Sequence, residues 1–144
     1  MLDEFARDDF ILHRDPDLVG KAVGFCIRLK EQIVSEDFED KGRRRILNFG
    51  HTYGHALEEL MLEKDTPIPH GVAVVYGIEH ALRLSVERQG LGGELLKKFT
   101  GILHRYFPRI QLSASDKARI NQLMNFDKKN KKFGEPAYVL LGDL

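Results

Sequence analysis

The 144 residues predict an all-α domain with at most a minor C-terminal strand. Three observations carry that expectation. Apolar residues recur at helical spacing in five segments, glycine- or proline-containing stretches separate those segments, and only residues 137–141, AYVLL, look like a strand.

The elements follow in order. Leu18, Ala22, Phe25, Cys26, Leu29 and Ile33 mark a first helix, with Asp15 or Asp17 able to cap it and Pro16 suited to its first turn. The stretch SEDFEDKG is a connection, and a second helix fits residues 44–62. EKDTPIPHG carries two prolines and reads as a loop. VAVVYGIEHALRLSVE has a β-branched start but the length of a helix, with apolar Val74, Ile78, Ala81, Leu82 and Val86. GLGG breaks the chain again, ELLKKFTGILHRYF is a fourth amphipathic helix, and SASDKARINQLM is a short fifth with a serine cap.

Length and composition fit a single domain over residues 1–144: hydrophobic residues make up 42% and charged residues 31%. The formal net charge of zero gives no global electrostatic reason to expect nucleic acid or an anionic membrane. The basic run DKKNKK has only Phe126 and Phe133 near it for stacking, so it does not read as a nucleic-acid site. A single cysteine, Cys26, forms no internal disulfide, no apolar run approaches a membrane span, and the start is too acidic for a signal peptide. The expectation is a soluble cytoplasmic protein.

The most informative stretch is NFGHTYGHALEEL, residues 48–60. On one continuous helix Arg44, Asn48, His51 and His55 fall within an arc of about 60°, opposite Ile46, Phe49, Tyr53, Leu57 and Leu60. Amphipathicity alone allows that polar stripe to be an ordinary solvated face. Gly50 and Gly54 argue against it, because each costs a helix interior roughly 1 kcal/mol relative to alanine. Close approach of another backbone or of a ligand explains such glycines. Two histidines at i and i+4 can grip one metal ion, although Thr52, Tyr53 and Gly54 between them exclude the HExxH pattern of zinc peptidases. His70, in the loop that opens the next helix, is the histidine placed to join them from a second element. His13, His80 and His104 carry no such signal.

RRILNFGHTYGHALE followed by PHGVAVVYG resembles the 3-dehydroquinate synthases and related sugar-phosphate cyclases, and the flanking LKEQIVSEDFEDKGRR and MNFDKKNKKFGEPAYVLL match in order and spacing. The resemblance runs from about Asp15 to the end and matches the family's helical C-terminal domain. It implies that the family's N-terminal α/β domain, which binds NAD, lies outside these residues, and no glycine-rich dinucleotide fingerprint occurs among them.

Carried over by motif, the resemblance implies that His51 and His70 are metal ligands, usually for zinc, and that His55 lies beside the substrate as an acid or base. The third ligand of the family, a glutamate, precedes the matched region. Arg44, Asn48 and Lys30 fit substrate contacts, and one of Lys128 and Lys129 fits the C-terminal lysine motif. The alternatives are a rim lysine for Lys30 and a solvated basic run for Lys128 and Lys129. Asp40 occupies the place of a glutamate associated with proton transfer. Val72 replaces the usual acidic residue after His-Gly, which marks a departure toward cyclases of sedoheptulose 7-phosphate or glucose 6-phosphate. The implied partner is a small anionic sugar phosphate, together with a complementing NAD-binding domain or a second copy. The expectation for these residues alone is the metal and substrate half of the enzyme, without turnover. The rival is a non-catalytic helical binding module.

Overall fold

The computed structural model describes residues 15–126 and 136–142, and these contain five α-helices, one 3-10 helix and no strand. The helices are α1 (Pro16–Glu36), α2 (His51–Glu63), α3 (His70–Gln89), α4 (Gly93–Tyr106) and α5 (Ala114–Asn125), with the 3-10 helix at Arg43–Asn48. The all-α expectation holds. The chain divides into two compact units, Met1–Leu47 and Asn48–Leu144.

In the first unit, α1 begins as its sequence requires. Asp15 Oδ1 accepts hydrogen bonds from the N–H groups of Asp17 and Leu18 at 2.9 and 3.3 Å, and Pro16 takes the position where no donor is needed. The connection after α1 is organised by one carboxylate: Asp37 accepts from the backbone N–H of Lys41, Gly42 and Arg44 at 3.0, 2.8 and 2.9 Å. Those donors, Arg44 foremost, hold the Asp37 carboxyl below its ordinary pKa. Asp40 sits in the same turn at φ 55°, a left-handed conformation that aspartate tolerates better than most residues.

In the second unit, α2 packs against α3 and α5, and α4 packs against α3. Ala56, Leu57 and Leu60 of α2 meet Ile120, Leu123 and Met124 of α5 in a buried cluster, closed over by Tyr53, Ile68, Leu112 and Tyr138 among others. Gly90 ends α3 at φ 71°, as the GLGG signal implied. Ser113 and Asp116 form a reciprocal capping box at the start of α5. Asp116 is also held by Lys64 Nζ at 2.9 Å, tying the end of α2 to the start of α5.

Two expectations need correction. No single helix runs through residues 44–62: a 3-10 helix ends at Asn48, Gly50 turns at φ 80°, and α2 starts at His51. The cause is the neighbouring helix. A Cβ on Gly50 would lie 2.6 Å from the backbone nitrogen of Ile78, and one on Gly77 would lie 1.9 Å from the carbonyl oxygen of Gly50. One turn on, a Cβ on Gly54 would lie 3.1 Å from Val74 Cα. Helices α2 and α3 therefore meet backbone to backbone, and the glycines serve that approach. Arg44 and Asn48 consequently do not share a continuous helical stripe with His51 and His55, and Ile46, placed on the apolar side by periodicity, is 45% exposed.

Residues 137–141 form no strand. Thr52 Oγ1 donates to the Ala137 carbonyl at 2.8 Å, and the Leu141 N–H donates to Ser85 Oγ at 3.0 Å. Hydroxyls from two helices thus satisfy backbone groups that a neighbouring strand would otherwise pair.

Candidate metal and substrate site

His51 is the first residue of α2, His55 follows one turn later, and His70 opens α3. The glycine contact between the two helices sets these three positions beside one another. The ring centroids are 5.4 Å apart for His51 and His55, 5.8 Å for His51 and His70, and 5.6 Å for His55 and His70. Imidazoles sharing a tetrahedral zinc at 2.0–2.1 Å have centroids about 5 Å apart. The His51 and His70 rings are thus within a small side-chain adjustment of that spacing.

The hydrogen bonds decide which nitrogens can act. His51 Nδ1 lies 3.3 Å from the Phe49 carbonyl, and His70 Nδ1 lies 2.8 Å from Glu58 Oε2. A carbonyl or carboxylate oxygen only accepts, so in each neutral ring Nδ1 carries the proton and Nε2 keeps its lone pair. Two Nε2 lone pairs suit zinc, which favours nitrogen ligands of this kind. Among the described residues no group of three or more His, Cys, Asp and Glu side chains is arranged to hold an ion. Two imidazoles alone would make an open half-site in need of further ligands.

The other residues singled out from the sequence are distributed as follows. Lys30 is exposed on α1, Asp40 lies in the turn organised by Asp37, and Arg44 donates through Nη1 to the Phe38 carbonyl at 3.0 Å; all three belong to the first unit. Asn48 begins the second unit, two residues before the Gly50 turn. Lys128, Lys129 and His13 lie outside the described residues.

His80 and His104 are not among the three converging rings. His80 stacks on Tyr53 with centroids 4.3 Å apart, and burial pushes its pKa below the ordinary histidine value. Both histidines line a cavity of about 270 Å³ on the opposite face of α2. Its acidic member, Glu79, is engaged by Arg83 at 2.6 Å and Thr100 at 3.2 Å. Nothing in that lining leaves an unsatisfied buried polar atom among the described side chains.

Sequence reasoning missed Glu58. A signal for it existed: Glu58 is seven residues after His51, two turns along the same helical face.

Comparison with known proteins places these features in a family. The profile described as 3-dehydroquinate synthase C-terminal matches residues 1–130. A 3-dehydroquinate synthase of Parabacteroides distasonis is 41% identical over 113 residues, covering 78% of this chain and 32% of that protein. Those of Clostridium acetobutylicum and Halorhodospira halophila are each 35% identical, over 90% and 94% of this chain and 35% and 38% of theirs. The matched region thus spans about a third of the length of these relatives. The chain belongs to the 3-dehydroquinate synthase C-terminal family.

Proposed function

We propose that this chain is the metal- and substrate-binding part of a 3-dehydroquinate synthase-like enzyme, which forms a carbocycle from a sugar phosphate with loss of phosphate. The observation that carries the reading is the convergence of His51, His55 and His70 from two helices, with the Nδ1 atoms of His51 and His70 engaged so that their Nε2 atoms are left as ligands. His51 and His70 hold the divalent ion, zinc by the chemistry of the donors. When bound, the ion polarises substrate hydroxyls and the nicotinamide of NAD carries the hydride.

The chain's own residues have four tasks. The His55 imidazole exchanges protons with the substrate near neutral pH. Arg44, Lys30 and one of Lys128 and Lys129 offset the charge of the anionic sugar phosphate, Arg44 with a planar fork suited to phosphate or carboxylate. Asn48 donates or accepts a hydrogen bond to a substrate hydroxyl. Asp40 is the group proposed for proton transfer on the first unit, with a reach shorter than that of glutamate. The relatives' shared name favours 3-dehydroquinate synthesis over the neighbouring cyclase reactions.

Phosphate release tests the proposal. The 144-residue chain supplied with zinc, NAD and the sugar-phosphate substrate of 3-dehydroquinate synthase gives no turnover. Fused to the N-terminal portion of a relative, it releases phosphate, and His55→Ala in the fusion removes most of that rate. Turnover by the chain alone, or a fusion rate indifferent to His55, contradicts the proposal.

A further inference from the structure

His70 is a poor ligand by default. Its side chain is 52% exposed at the first position of a helix, where water leaves both ring rotation and tautomer unconstrained, and a free neutral imidazole in water favours the proton on Nε2. That tautomer has no lone pair on Nε2. Something must reverse the preference if Nε2 is to bind a metal, and Val72, two residues along, has no acceptor with which to do it.

The Glu58 carboxylate is placed for this task. Its Oε2 lies 2.8 Å from His70 Nδ1, and it reaches that atom from α2, the helix that carries His51 and His55. Glu58 is itself only 29% exposed, so its carboxylate is less free to swing away than one on an open surface. As a stability contact such a pair contributes little. As a selector of tautomer and ring orientation it acts directly on the ligand atom.

We propose that Glu58 is the positioning residue for His70, fixing its Nδ1–H tautomer and aiming Nε2 toward the ion shared with His51. The inference rests on the metal reading above and adds a residue to it. It also makes the two helices interdependent, because one α2 side chain sets the chemistry of the first α3 residue.

Two readouts on the 144-residue chain test it. Long-range proton–nitrogen NMR of the metal-free protein, at a pH where the rings are neutral, reports the tautomer without any metal. Wild type shows His70 protonated on Nδ1, and Glu58→Ala moves the proton largely to Nε2. Glu58→Gln, which keeps a carbonyl acceptor, retains Nδ1–H. Zinc affinity by calorimetry falls about 10- to 100-fold in Glu58→Ala and less in Glu58→Gln, and is unchanged in Glu59→Ala. A tautomer indifferent to Glu58→Ala overturns the role of Glu58 while leaving the metal reading intact, whereas a wild-type His70 protonated on Nε2 overturns both. Zinc affinity indifferent to His70→Ala overturns both, even if the tautomer moves as described.

Discussion

The substitution Gly77→Ala puts the contact between α2 and α3 to the test. The added Cβ would stand 1.9 Å from the Gly50 carbonyl oxygen, 2.9 Å from the Gly50 carbonyl carbon and 2.9 Å from the Gly54 nitrogen. Reaching even the 3.0 Å floor of real Cβ contacts moves that oxygen by 3.0 − 1.9, about 1.1 Å. All three obstacles are backbone, so no rotamer change relieves them. Overpacking of this kind costs about 3 kcal/mol, and replacing a mid-helix glycine by alanine returns about 1 kcal/mol. The net loss is about 2 kcal/mol, or roughly 8 °C in Tm for a domain of this size. Gly101→Ala in α4 is the matched control, because nothing lies within 4 Å of its added Cβ. It stabilises by about 0.5–1 kcal/mol. Urea unfolding followed by circular dichroism measures both. The two variants shifting stability in the same direction would refute the reasoning.

Further predictions follow from the same geometry. Lys64, then Ser113, holds the Asp116 carboxyl at about 2, below its ordinary value of 3.8, so the unfolded chain takes up that proton first. The stabilisation is present above about pH 4 and is lost as the pH falls through about 2; the acid limb of a pH–stability profile should flatten in Asp116→Asn. Burial lowers the His80 pKa below 6.5, so its contribution is complete above about that pH and declines on acidification. His80→Phe, which keeps a ring against Tyr53, should show a shallower decline below about pH 6.5 than wild type, measured by thermal unfolding. Ser85→Ala leaves the Leu141 N–H without its acceptor and costs about 1–2 kcal/mol. Hydrogen exchange at the Leu141 amide should accelerate, and an unchanged rate would count against the bond.

Much of the helical layout was legible because its signals are local. Asp15, Pro16, Gly90 and Ser113 act through their own backbone geometry or nearby N–H groups, and each marks a boundary where the structure has one. The PIPHG loop likewise delivered His70 to a helix start. The break at Gly50 was not legible, because helical periodicity continues through a 3-10 turn and the deciding contact comes from Gly77 and Ile78, remote in sequence. Gly50 and Gly54 do mark a close approach of another backbone, one of the two causes expected of them. The strand expected at residues 137–141 followed from β-propensity, whereas Thr52 and Ser85 supplied side-chain partners that propensity does not register. Glu58 and Glu59 are adjacent and chemically identical; helical phase alone puts Glu58 on the face of His51, and the 2.8 Å to His70 Nδ1 shows that it is the one that engages the ring.

Zinc titration into the metal-free chain, followed by calorimetry, addresses the central claim that His51 and His70 hold the ion. The account predicts a single class of loosely held zinc, because the proposed ligands are two imidazoles and no group of three or more His, Cys, Asp and Glu among the described residues is arranged to hold an ion. His51→Ala and His70→Ala, each shown to be folded by circular dichroism, should lose nearly all of that binding, while His104→Ala keeps it. Tight zinc binding that survives both His51→Ala and His70→Ala would contradict the account.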